Sequence, residues 1–576
     1  MGCPARLAAA VVACSVTCSV IFGLAHVAWA SDSPARIAPS VEEWLKSARA
    51  DETIAVWVFF TDKGRLSAAA AEAEIGRVAS TFDRTAVARR LRARPVRPFD
   101  QADLAVHRPY LDALKQEGVA LISSSKWLNA AAVRADAGQI ATIAGLPFVR
   151  SLRRVSGSVG GPEPYPVEAP LKGETSLYQY GYAWRQLDQI QIPALHTEGF
   201  TGTGIRVGVF DTGFWLEHET FAGLNLIAEH DFINDDDTTA NQAGDPSSQH
   251  DHGTMCLSLL AGETPGTMMG GAFDAQYILA KTEDVADEQP IEEAWWIEAL
   301  EWADSLGVQV ISTSLSYKDW YTYADMDGDT APITNAADQA AMNGIVVVAA
   351  AGNSGASSWR YIAAPADGDS VVTVGSVDSL GVRSYFSSQG PTYDGRIKPT
   401  IMAMGQADYI ADVVATNSYR RGSGTSFATP LAAGAIALIL EKHPNWLPEN
   451  IVEAITSTGT RSSNPDTLCG WGILQARDAS NWVPSSVAGR SPADARLRIY
   501  PNPCVASFSV AYPAGALAGR GPIRVYDVAG RLLHEVAPSA SGTTPVDLQA
   551  LVPRLAPGIL LVDVPGEGQA KVMVLR

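Results

Sequence analysis

Between residues 175 and 483, apolar runs of strand length alternate with stretches of helical periodicity, and few architectures accept that alternation. The runs at 206–210, 276–281, 308–313, 345–350 and 371–375 are dominated by Val, Ile, Leu and Ala instead of switching strictly between apolar and polar. Such strands are buried on both faces, which implies a parallel sheet covered by helices on two sides. Helices are expected at 291–306, 333–342 and 426–442. In sheets of this kind, reacting groups collect beyond strand carboxyl ends and at helix amino ends.

Three polar residues occupy such places, each in a Gly-rich turn. Asp211 lies in Val-Phe-Asp-Thr-Gly, His252 in His-Asp-His-Gly-Thr, and Ser426 in Gly-Thr-Ser-Phe-Ala-Thr-Pro. A serine hydroxyl becomes a competent nucleophile when an imidazole accepts its proton and a carboxylate fixes the imidazole's tautomer. The order Asp, His, Ser separates this chain from chymotrypsin-like enzymes and from α/β-hydrolases. The chain resembles a subtilisin-like serine protease (a subtilase, peptidase family S8). Further blocks carry that resemblance: 204–213, 252–262, 344–355, Ser387-Ser388-Gln389-Gly390-Pro391 with 394–399, and 424–430, all in the family's order.

The resemblance implies a serine endopeptidase with an α/β fold, a parallel sheet with helices on both faces. Asp211, His252 and Ser426 form its triad and Asn353 donates to the oxyanion. A turn residue in Gly-Asn-Ser-Gly is the competing role for Asn353. Ser314, Leu315 and Ser316 are implied as one substrate wall, Gln289 to Ile291 as the other, and Ala351 and Gly352 as lining of the first specificity pocket. Ala363 stands where a glycine often forms that pocket's floor. Glu292 and Glu293 are open between an acidic rim of the outer subsites and solvated charges at a helix start. Met255, Thr400 and Met404 depart from common family residues. Cys256 follows His252 by one helical turn, a packing position that would still make the enzyme sensitive to mercurials. Catalysis requires no cofactor. A structural calcium is admitted, with Asp325, Asp327 and Asp329 as weak candidates, because their loop lacks the distal glutamate of an EF-hand.

The length of 576 residues calls for several domains. A net charge of −19 excludes a basic nucleic-acid-binding surface. Residues 1–30 read as a signal peptide, with Arg6 before an apolar run and Ala28-Trp29-Ala30 as cleavage site, against a membrane anchor as the alternative. Val11-Val12-Ala13-Cys14 approximates a lipoprotein box, but the apolar run continues past it. No later apolar run is long enough to span a bilayer. After signal removal Cys256, Cys469 and Cys504 remain, an odd number that argues against a disulfide framework.

Residues 31–160 form a separate, basic unit with an arginine cluster at Arg89, Arg90, Arg92, Arg94 and Arg97. Strands are expected at 53–60, 126–134 and 148–155 and helices at 108–117 and 135–144, a small α+β unit that resembles the family's propeptide. An unrelated N-terminal domain is the alternative. A Gly- and Pro-rich linker follows, then the catalytic unit at 175–483 and a linker at 484–495. Short strands over 496–576 suggest a small β-sandwich that resembles type IX secretion sorting domains. Cys504 departs from that pattern, so a sorting signal and a passive module both stand. The resemblance thus implies a secreted or cell-surface zymogen, with peptide or protein substrates, its own propeptide and secretion machinery as partners. A binding protein with an idle protease-like domain and an esterase are the competing functions; the intact residue set and the triad order count against them.

Overall fold

The computed structural model describes residues 37–49, 51–64, 66–157, 178–286, 291–483, 498–500, 507–511, 521–526, 532–538, 543–548, 558–564 and 568–574. The signal segment, both linkers, Gln289, Pro290 and Cys504 lie outside them.

The expected sheet is present. Seven strands run in the order Ile401–Met404, Val372–Val377, Val346–Ala350, Val310–Thr313, Arg206–Asp211, Gln276–Lys281, Asn225–Asp231. Every neighbouring pair is parallel. The central strands are buried throughout because helices cover both faces. On one side lies Thr425–Lys442, whose residues are buried on every face from Thr425 to Leu440, together with Asp251–Ala261. A helix that is apolar all round belongs inside a large core. On the other side lie Glu292–Ser305 and Pro332–Met342.

The N-terminal unit is a four-stranded antiparallel sheet in the order Ala120–Ser125, Ala130–Asp136, Thr53–Phe60, Val149–Arg154. The expected strand at 126–134 is corrected: Lys126 to Asn129 turn the chain between two strands, and Asn129 sits at φ 49°, a left-handed value Asn tolerates. The Thr53–Phe60 strand has two buried faces with different neighbours. Ile54, Val56, Val58 and Phe60 pack within their own unit. Ala55, Trp57 and Phe59 instead join Phe210, Ile278, Trp296, Ile297 and Leu300 in one core shared with the catalytic unit. Period-two alternation thus divides one strand between folding its unit and docking it.

Two sheets close the chain. Arg498–Tyr500, Ser507–Ala511 and Thr543–Asp547 form one, and Leu532–Val536, Ile523–Tyr526, Gly558–Val564 and Gly568–Val574 the other. Val510 and Val546 from the first meet Ile523, Val525, Leu560 and Val562 from the second in a core of their own, as expected of a small sandwich. Among the described residues no helix is long and apolar enough to cross a membrane.

Candidate active site

Asp211 ends a central strand with its carboxylate fully buried. Its Oδ1 accepts from the His252 Nδ1 at 2.6 Å and from the Thr212 amide at 2.8 Å. His252 is the second residue of its helix, and that helix can approach because Gly253 has no side chain. A Cβ there would lie 2.2 Å from the Gly213 carbonyl oxygen and 3.0 Å from the Asp211 Cβ. Burial of the ring pulls its pKa down, and the Asp211 carboxylate more than offsets this, holding His252 well above the ordinary histidine range.

Cys256 lies beneath the ring. Its Sγ is 3.9 Å from both ring nitrogens and 3.4 Å from the main-chain oxygen of Ser426, to which it donates. The histidine and the first turn of the Thr425–Lys442 helix are therefore brought together on one buried thiol. The Ser426 hydroxyl donates to the Ser314 carbonyl at 3.3 Å, and the Ser314 hydroxyl returns a 2.8 Å bond to the Ser426 carbonyl.

Asn353 follows the Val346–Ala350 strand and reaches the same turn. Its Oδ1 accepts from the Thr425 amide at 2.9 Å and the Thr425 hydroxyl at 3.0 Å, which leaves Nδ2 as the end able to donate elsewhere. Thr425 Oγ1 also accepts from the Gly352 amide at 3.2 Å. Sequence reasoning had no role for Thr425; its place before Ser426 was the available signal. Ser314 and Gly352 reach this turn, and a Cβ on Gly352 would meet both Ser388 Oγ at 3.2 Å and Ser316 Oγ at 3.3 Å, while Leu315 and Ala351, their chain neighbours, are buried. Ala363 is buried beside them, next to Ala364, whose carbonyl accepts from the Tyr317 amide at 2.9 Å.

Glu292 and Glu293 are buried, so neither is a solvated charge. The Glu293 carboxylate accepts from Trp57 Nε1 (3.2 Å), the Ser156 amide (3.1 Å), the Tyr321 hydroxyl (2.7 Å) and the Ile333 amide (3.2 Å). Two of those donors, Trp57 and Ser156, belong to the N-terminal unit, whose chain is thereby joined to the start of the Glu292–Ser305 helix.

In the Asp325 to Asp329 loop, two of the candidate carboxylates make hydrogen bonds within the loop itself. Asp327 Oδ1 takes the amides of Asp329 and Thr330, its Oδ2 takes the Thr330 hydroxyl, and Asp325 Oδ2 accepts from the Thr322 amide and hydroxyl. Among the described residues, the side chains close enough to share an ion are Asp211, His252 and Cys256, already joined as described.

Comparison with known proteins decides the family. The model of the subtilase family matches residues 202–472. Subtilisin of Bacillus pumilus is 34% identical over 275 residues, covering 48% of this chain and 90% of that protein. The chain belongs to the subtilase family. Subtilases are serine endopeptidases, and this subtilase also carries a propeptide domain, since the model of the Bacteroidota peptidase S8 propeptide matches residues 55–163. Subtilisin E of Bacillus subtilis is 33% identical over 296 residues, 51% of this chain and 70% of that one. Fervidolysin of Fervidobacterium pennivorans, described as a keratinolytic enzyme related to subtilisin, covers 91% of this subtilase and 76% of its own chain. At a TM-score of 0.55 and 18% identity, it supports the fold alone.

Proposed function

We propose that this subtilase hydrolyses peptide bonds through Ser426, His252 and Asp211, and that it is made as a zymogen and exported. The observation that carries the reading is the 2.6 Å bond from His252 to the buried Asp211 carboxylate, in a cleft that also holds the Ser426 turn. His252 Nδ1 is committed to Asp211, which leaves Nε2 to take the serine's proton as Oγ attacks the scissile carbonyl. The same nitrogen then returns the proton to the leaving amine. Asp211 stabilises the imidazolium formed in between.

Negative charge developing on the carbonyl oxygen meets the first-turn amide of Ser426, whose acceptor lies outside the helix, and Nδ2 of Asn353. Thr425 is a positioning residue, since its amide and hydroxyl hold Oδ1 and so turn Nδ2 outward. Substrate adds as a strand along Ser314 to Ser316, with Ala351 and Gly352 at the first pocket.

Residues 31–160 act as the propeptide and residues 175–483 as the catalytic domain. Supporting this, the chain leaves the N-terminal unit at Ser156, whose amide is bonded to Glu293 at the start of a catalytic-unit helix, and we place the scissile junction a short way beyond, between 157 and 175. Residues 1–30 serve as the export signal and residues 496–576, beyond their linker, as a sorting module. Labelling of the matured enzyme by a fluorophosphonate tests the central reading. Rapid labelling at Ser426, lost in His252→Ala, is expected; an unreactive serine in folded protein would overturn it.

A further inference from the structure

Two arginines of the propeptide's basic cluster point away from solvent. Arg89 and Arg90, on the Arg84–Ala93 helix, are among the largest fully buried side chains of the molecule. Arg89 makes its bonds across the boundary between the two units. Nε donates to the Asn343 carbonyl at 3.0 Å, Nη1 to the Val308 carbonyl, and Nη2 to the Asp304 carbonyl at 3.3 Å and to its carboxylate. Arg90 pairs with the same carboxylate, with Asp103 at 2.8 Å and with the Pro98 carbonyl at 3.1 Å, its guanidinium lying over the rings of Phe82 and Phe99. Arg94 donates to Asn343 Oδ1 at 3.2 Å, and Arg206 pairs with Asp83 at 2.8 Å. The fit is close on both sides: a Cβ on Gly307 would lie 2.9 Å from the Ala86 nitrogen and from the Thr85 Cβ.

These acceptors occupy one end of the catalytic sheet. Val308 precedes the Val310–Thr313 strand, Asn343 precedes Val346–Ala350, and Arg206 begins Arg206–Asp211. Asp211, Ser314 and Asn353 lie at the other ends of those strands, on the order of 15–20 Å away at the rise of a β-strand. The socket offers one carboxylate and three main-chain carbonyls, so only a cation with several fixed donors matches it, and a guanidinium does.

We propose that the Arg84–Ala93 helix forms a latch, a second anchor holding the propeptide to the amino end of the catalytic sheet by Arg89 in the Asp304 socket. The latch adds to the contact at Ser156, so a propeptide already cut from the chain stays bound until the latch opens. The inference rests on the propeptide reading above. Cutting the junction removes only the covalent tether near the active site and leaves every latch contact in place. Opening the latch exposes a carboxylate and carbonyls that had been satisfied by a buried charge, and removing one partner of such a pair is strongly unfavourable.

Hydrogen exchange on the uncut full chain carrying Ser426→Ala reads the latch without peptidase activity. Adding Arg89→Met is expected to accelerate exchange at 84–93, 306–309 and 343–345 at least ~10-fold, with 53–60 and 130–136 unchanged. Unchanged exchange at 84–93 would overturn the latch; so would loss of protection throughout the unit, which would make Arg89 a folding determinant. Should Arg89→Met give no folded chain, Arg89→Lys, which keeps the charge but cannot span the carbonyls, gives the same readout. In chains with Ser426 intact, Arg89→Met should be cut as fast as wild type yet shed its propeptide at least ~10-fold sooner. Equal shedding times would refute the latch's part in retention, whereas absence of any cut in wild type would refute the peptidase reading and leave the exchange result standing.

Discussion

Glu301 of the catalytic domain accepts a 2.6 Å hydrogen bond from the hydroxyl of Ser125, at the start of the propeptide's Lys126 to Asn129 turn. The same carboxylate takes the amides of Trp127 at 3.0 Å and Lys126 at 3.2 Å, so one buried side chain closes a whole turn of the partner domain. Glu301→Ala strands those donors. Hydrogen bonds to a charged acceptor contribute about 1.5–3 kcal/mol each and are not additive, so about 3 kcal/mol is expected, on the order of 100-fold in affinity. Dilution of the cut propeptide–enzyme complex, followed by native mass spectrometry, measures it. Retention equal to wild type would show the turn to be held by packing alone.

Asn353→Ala should leave the fold intact, because the side chain is exposed and its partners are the Thr425 amide and hydroxyl. Turnover should fall ~10²–10³-fold, about 2.7–4 kcal/mol. That magnitude is carried over from subtilisin itself, a relative of this chain. A folded variant with wild-type kcat would remove Asn353 from the oxyanion site.

The pH profile follows from the direction of the His252 shift. The ring must be neutral to accept the serine's proton. Burial lowers its pKa, the Asp211 carboxylate raises it by more, and the net position is well above the ordinary value. As pH falls through that raised pKa the base is lost, so kcat/KM should decline with an acid-limb midpoint above about 6.5. A rate constant from pH 4 to 8 would contradict a histidine base.

Much of the sheet and of the site was legible because each depends on local pattern. Continuous apolar runs can only be central parallel strands, and Asp211, His252 and Ser426 stand in turns whose chemistry is local. What escaped was set by distant partners. The Asn225–Asp231 strand lies at the sheet edge with alternating exposed and half-buried positions, so it lacks an apolar run. The Gln406–Asp412 and Ser418–Ser423 hairpin carries Arg420 and Arg421 and reads as loop. Arg89 and Arg90 read only as members of a basic cluster, since the carboxylate they share in the interior, Asp304, lies more than two hundred residues on. Glu293 stood open between a subsite rim and a solvated helix-start charge for the same reason: its donors Trp57 and Ser156 lie in the propeptide.

Deleting residues 496–576 should spare peptidase activity while reducing delivery to the medium or cell surface. The two C-terminal sheets bury their own core, so the catalytic domain loses no packing layer with them. Peptidase assays and fractionation of the truncated chain check both halves; undiminished export would remove the sorting role.

The most direct test of the account is the intact mass of purified wild type beside Ser426→Ala, both expressed in a protease-deficient host. Ser426 sits in a tight turn where loss of one hydroxyl removes the nucleophile and little packing, so the variant should fold. The account predicts wild type cut between 157 and 175, and a larger Ser426→Ala chain that retains its propeptide and is reduced to mature size by trace wild type. Identical processed masses for the two would mean that another protease matures this subtilase, and would contradict self-cleavage by the Ser426 site.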